Sequence, residues 1–208
     1  MTVWLPRYEQ QAVAGTRAPF DKEWYKFFRE LWVALGYGGK NEIYSDIFID
    51  AMQMDDAGWF LSRETLAGGV KAVGFPAGSD ESALFTVKLP TNYRNVTDLT
   101  VFLEWAPLDA VAGDVVWDFE YAVADQGDAM TTSTTTQVTS SSPEVSKQLT
   151  RASVVTIDGT GINAGDVLAC RVGRVSSDAA DTYANDAGLL GVTIRHRVNG
   201  VGLEMSSP

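Results

Sequence analysis

Residues 115–123 read V-V-W-D-F-E-Y-A-V, so that Val115, Trp117, Phe119, Tyr121 and Val123 recur at every second position, with Asp118 and Glu120 between them. A period of two sends successive side chains to opposite faces, and an extended strand with one buried face is the structure that satisfies it. The same alternation runs through Phe85, Val87 and Leu89, closed by Pro90, and through Leu99, Val101, Leu103 and Trp105, closed by Ala106-Pro107. Residues 155–157 before Asp158-Gly159, residues 168–172 and residues 190–194 complete the set, with turn residues and no helical pattern between them. The series predicts a mainly β chain: an antiparallel, jelly-roll-like β-sandwich of eight strands over residues 84–208, with Trp105 and Trp117 in its core.

Less regular stretches surround these runs. Residues 131–142 (TTSTTTQVTSSS) are almost wholly hydroxylic, bury little and compete for backbone hydrogen bonds, so they read as a long loop. Residues 43–54 and 59–66 fit neither strand nor helix, and residues 40–83 therefore read as a connecting region of mixed structure. Ala112-Gly113-Asp114-Val115 and Ala164-Gly165-Asp166-Val167 are near-copies, each a tight turn leading into a strand.

The start of the chain follows another rule. Val3, Trp4 and Leu5 punctuate an aperiodic segment ending at Pro19, which reads as an extended arm. In residues 21–35, Trp24, Phe28, Leu31 and Leu35 fall at spacings of four, three and four on one face of a short α-helix, widened by Phe20 and Phe27. Asp21 suits the N-cap and Gly36 the stop. Such a stripe suits a helix lying on its own domain as well as one that self-associates. An arm with an uncovered Trp is an aggregation hazard, which favours covering by a neighbour. Residues 1–39 are therefore expected to serve attachment and oligomerisation, through Trp4, Phe20, Trp24, Phe27, Phe28, Leu31 and Leu35.

Charge narrows the partners. With 27 acidic against 16 basic residues the net charge is −11, which disfavours nucleic acid, because phosphate binding needs a basic surface. One cysteine, Cys170, allows no internal disulfide. The opening MTVWLPRYEQ has no basic-then-apolar leader and no apolar run reaches bilayer length, so synthesis in the cytoplasm without membrane insertion is expected.

Catalytic chemistry finds few candidates. His196 is the sole histidine, flanked by Arg195 and Arg197 and in phase with Leu190, Val192 and Ile194, which reads as a core or strand-end residue. Asp118 and Glu120 share one strand face as a glycoside-cleaving pair would, but they read as exposed carboxylates on a solvent face. Residues 177–186 (SDAADTYAND), between which lie Asp178 and Asp186, gather oxygen ligands without the spacing of a calcium loop, and turn formation accounts for them. No glycine-rich phosphate cradle joins a strand to a helix. The expectation is no enzyme, no cofactor and no metal.

Two stretches carry a resemblance. Residues 19–39, PFDKEWYKFFRELWVALGYGG, resemble the aromatic W-Y-x-F-F-x-x-L segment ending in glycines near the start of small tail and fibre proteins of tailed bacteriophages. Residues 164–194, AGDVLACRVGRVSSDAADTYANDAGLLGVTI, are similar to the end of β-rich domains in phage structural proteins. The resemblance implies a virion protein assembled in the host cytoplasm. It implies a homotrimer docked by its N-terminal segment onto other virion proteins, as a tail fibre reaching a host glycan or receptor or as a capsid decoration (cement) protein. A tailspike that degrades glycan, using Asp118 and Glu120, is the enzymatic alternative.

Overall fold

The computed structural model describes residues 26–28, 30, 31, 42–56, 61–125 and 127–199. The chain forms two units, one of residues 1–43 and 199–208, the other of Tyr44–Val198. In the first, residues 26–28, 30 and 31 have helical backbone, inside the helix expected for residues 21–35.

The second unit is β1 (Tyr44–Asp50), β2 (Asp55–Asp56), β3 (Ser62–Thr65), β4 (Lys71–Phe75), β5 (Glu81–Lys88), β6 (Leu99–Pro107), β7 (Asp114–Ala124), β8 (Thr134–Ser141), β9 (Thr150–Ile157), β10 (Val167–Arg174) and β11 (Ala187–Arg197). One antiparallel sheet runs β3-β4-β11-β6-β9, with β1 also on β11; the other runs β2-β5-β10-β7-β8. The pairings from β4 to β11 are nested. β7 pairs with β8, β6 with β9, β5 with β10 and β4 with β11, as in one long hairpin rolled across two sheets. That is the jelly roll, its eight strands shared equally between the sheets.

The roll begins at Lys71 and the sandwich at Tyr44, so residues 44–83, expected to connect, supply strands to both sheets. β4 escaped notice because both its faces are covered: Val73 and Phe75 point into the main core, whereas Ala72 packs with Leu66, Ala106, Leu108 and Leu190 on the other side. Burial on two sides erases the alternation that marks a strand. The expected loop at residues 131–142 contains β8, whose Thr-rich sequence suits a pleated edge.

Inward side chains of both sheets meet around Trp105 and Trp117, whose ring centroids are 6.0 Å apart, with Phe75 edge-on to Trp117 at 5.4 Å. All three are fully buried, and Trp105 Nε1 donates to Ser140 Oγ at 3.0 Å. A register shift in the β11–β6 pairing between Leu189 and Gly191 turns Leu190 out of the main core, so it is Val192, Ile194 and His196 that face inward.

Candidate functional site

Tyr44 is the register partner of Arg197, and Tyr93 bridges to Val198. The chain therefore enters and leaves the sandwich at one end, where residues 89–98, 127–133 and 158–166 also lie. Residues 76–80, 108–113, 142–149 and 175–186 turn at the opposite end. Among the expected attachment residues, Trp4, Phe20, Trp24 and Leu35 lie outside the described residues. Phe27, Phe28 and Leu31 lie on the helical turn, where Phe28 and Leu31 are 47% and 41% exposed, Phe27 is half-buried, and the two Phe rings meet edge to face at 5.6 Å.

The far end is organised by a residue that sequence inspection passes over. Arg174 is buried at the end of β10, its Nη2 2.7 Å from Asp181 Oδ1 and its Nε 2.9 Å from Asp181 Oδ2. It also donates to the carbonyls of Phe75, Asn185 and Tyr183, and its guanidinium lies 5.8 Å from the Tyr183 ring centroid. Asp181 in turn accepts from Val116 N–H at 3.0 Å, and Tyr183 Oη donates to the Asp109 carbonyl at 3.0 Å. Asp178 caps its own turn through Ala180 N–H at 2.8 Å. The carboxylates of Asp178 and Asp181 are thus engaged in holding this loop, and the described residues contain no group of carboxylates, His or Cys arranged for a metal ion. Asp80 ties in the neighbouring turn: it accepts from Ser176 and Ser177, and those bonds, led by the Ser177 hydroxyl, hold its carboxyl below the ordinary range.

Asp118 and Glu120 do share the outer face of β7, but as two arms of an ion trio. Arg171 on β10 reaches Asp118 Oδ2 with Nη2 and Glu120 Oε2 with Nε, both at 2.8 Å, and Ser133 donates to Glu120 Oε1. Asp118 is buried, contrary to the exposed reading, because its carboxylate lies over Gly173, where a Cβ would collide with it. Burial raises the Asp118 carboxyl, partly opposed by Arg171. The Ser133 and Arg171 hydrogen bonds lower that of Glu120. Chemically the trio is a paired charge cluster that fixes β7 against β10.

His196 is 1% exposed, and neither ring nitrogen has a hydrogen-bond partner within bonding distance among the described residues; the Tyr93 ring lies 6.1 Å away. Burial lowers its proton affinity, so the ring is neutral and acts as core. Cys170 is likewise buried, its thiol pushed up to about 12.

The outer face of the first sheet carries a feature unread in the sequence. Phe102 on β6 lies between the guanidiniums of Arg151 and Arg195, 5.2 and 5.3 Å from its centroid, and Arg197 lies over Tyr44 at 5.9 Å. Carboxylates hold two of these cations: Glu104 meets Arg151 Nη2 at 2.7 Å, and Asp46 takes Arg195 through two 2.8 Å bonds. Such a ladder joins four strands, and no pattern within any single strand could reveal it. Beside it, where β11 changes partner from β4 to β1, a cleft of about 450 Å³ is lined by Phe48, Val70, Leu190 and Lys71 among others.

No family model matches this chain, and no curated protein does. Solved structures of similar fold include the CBM36-1 domain of a multidomain xylanase from the hindgut metagenome of Trinervitermes trinervoides, at 10% identity and TM-score 0.41 over 76% of this chain and 100% of that one. A family 35 carbohydrate binding module from Clostridium thermocellum aligns at 12% identity and TM-score 0.43, over 72% and 97%. Infectious bursal disease virus Gx strain aligns at 14% identity and TM-score 0.39, over 78% of this chain and 35% of the viral one. Likeness at this level carries no argument about function; the jelly roll rests on the nested strand pairing.

Proposed function

We propose that this chain is a structural, non-enzymatic protein of a tailed-bacteriophage virion: a homotrimeric tail fibre or appendage whose residues 1–39 dock onto other virion proteins. The observation that supports this reading best is the pairing of Tyr44 with Arg197. Both connections to the rest of the chain leave one end of the roll, so attachment there leaves the four turns of the other end to project towards a host surface glycan or receptor. The arrangement at Asp118 and Glu120 favours a structural role over glycan cleavage, since both carboxylates are occupied by Arg171. The resemblance of residues 19–39 to phage tail segments agrees with the same picture.

The test is a chain lacking residues 1–39, supplied to phage particles in place of the full one. Its circular dichroism should remain that of a folded β protein while its incorporation into particles is lost, and mass measurement of the full chain should give three copies. Unimpaired incorporation of the truncated chain would refute the docking role.

A further inference from the structure

His196 is the last buried side chain of β11, and the strand is held thinly there. Pairing with β6 ends at Arg195↔Thr100, so beyond that point β11 keeps β1 through Ser45↔His196 and Tyr44↔Arg197. Residues 89–98 hold the rest: Tyr93 bridges to Val198, and Arg94 N–H donates to the Arg197 carbonyl at 2.8 Å. A strand end kept by so few bonds opens more readily than the sheet it belongs to. The same segment carries strain. Val96, β-branched and 61% exposed, has φ 60°, a left-handed backbone that such side chains avoid, and its N–H bond of 2.9 Å to the Ile162 carbonyl pins it there.

Into this corner the fold shuts an imidazole with no bond to either nitrogen among the described residues. A neutral ring is tolerated there beside Tyr93, whereas a buried cation needs a partner. The surrounding elements supply none. On β1, Asp46 is taken by Arg195 on the outer face, and Tyr44 lies under Arg197. On residues 89–98, Arg94 and Asp98 are exposed, Asp98 accepts from Gly159 N–H, and the Tyr93 hydroxyl donates to the Thr97 carbonyl. Leu99, Thr100 and Val101 on β6 bear no charge. Opening the corner therefore raises the ring's affinity for a proton, and acid favours the open form. We infer that this end of the roll is a latch worked by acid: on taking up a proton His196 moves into water, and the end of β11, residues 89–98 and the start of β1 part while the rest of both sheets stays closed. Opening also releases Val96 from its left-handed backbone. The end that opens is the one from which both connections to the rest of the chain leave, so acid loosens the mounting of the roll without unfolding it. The latch belongs to the roll itself and does not depend on what residues 1–39 dock onto.

His196 is the only histidine of the chain, so in an untagged full-length protein the imidazole proton signals report its titration alone. Their midpoint should lie below the free-imidazole value of about 6.5. Amide protection, taken against the intrinsic exchange rate at each pH, should fall about tenfold between pH 6.5 and pH 5 at Tyr93, Arg94 and Val96 and along the start of β1, while β7 and β10 keep theirs. In His196→Phe the same amides should hold level across that range. Protection lost evenly over both sheets makes the effect global and overturns the latch. So does a midpoint at or above about 6.5, or protection that survives protonation of the ring. A His196→Phe protein that still opens in acid assigns the change to another group and overturns it as well. Titration and exchange are both read on the unaltered chain, so they decide the matter even where the variant fails to fold.

Discussion

A neutral imidazole with no hydrogen-bond partner among the described residues makes His196 a sensor of acid. Its buried ring binds a proton less readily than it does in the unfolded chain, where the value is about 6.5. The unfolded state therefore gains protons first as the pH falls, and stability that is complete above about pH 6.5 declines below it. The Ile194 backbone and, less strongly, the Asp46 carboxylate on β1 oppose this shift only in part, and the Tyr93 ring lies tilted beside it. Urea midpoints should drop between pH 7 and pH 5, and His196→Phe should remove that portion of the drop; equal slopes in the two proteins would exclude the ring as the cause. Arg174 sets a larger cost. Arg174→Met leaves Asp181 buried and unpaired, for which about 3–5 kcal/mol of lost stability is expected in urea melts. Pairing it with Asp181→Leu should recover part of the loss.

Elements were legible where apolar residues hold every second position against polar or charged neighbours. Residues 84–89, 99–105 and 115–123 alternate cleanly because one face meets the core, and they match β5, β6 and β7. β1 was obscured by Phe48, an apolar side chain 56% exposed on the outer face, which breaks the contrast with Ile47 and Ile49. β8 was obscured by chemistry: with Val138 as its one apolar residue, hydrophobic period says nothing, and the abundance of β-branched Thr was the available signal. At the site level, the same-face placement of Asp118 and Glu120 followed from period two, whereas Arg171, Arg174 and the Phe102 ladder depend on which strands lie side by side. The seam between β1 and β11 yields its own prediction. A Cβ at position 191 would overlap the Ile49 carbonyl and the Phe48 ring, so Gly191→Ala should cost about 1–3 kcal/mol. Hydrogen exchange should quicken across Tyr44–Asp50 while β10 stays protected; an unchanged β1 would show that the seam relaxes freely.

At the scale of the molecule, nested pairing ranks the contacts by distance along the chain. Tyr121 meets Thr134, close by along the chain, whereas Phe75 waits for Ala187. Closing distant pairs costs more chain entropy than closing near ones, and topologies dominated by them fold slowly. The strand that arrives last is also the most connected, since β11 pairs with β1, β4 and β6. On the ribosome, then, ten strands wait for the eleventh. Until Ala187–Arg197 emerges, β6 lacks one of its partners and β1 and β4 have no strand joining them to it. A chain stopped short of this segment would leave the first sheet unfinished and be a substrate for chaperones and proteases.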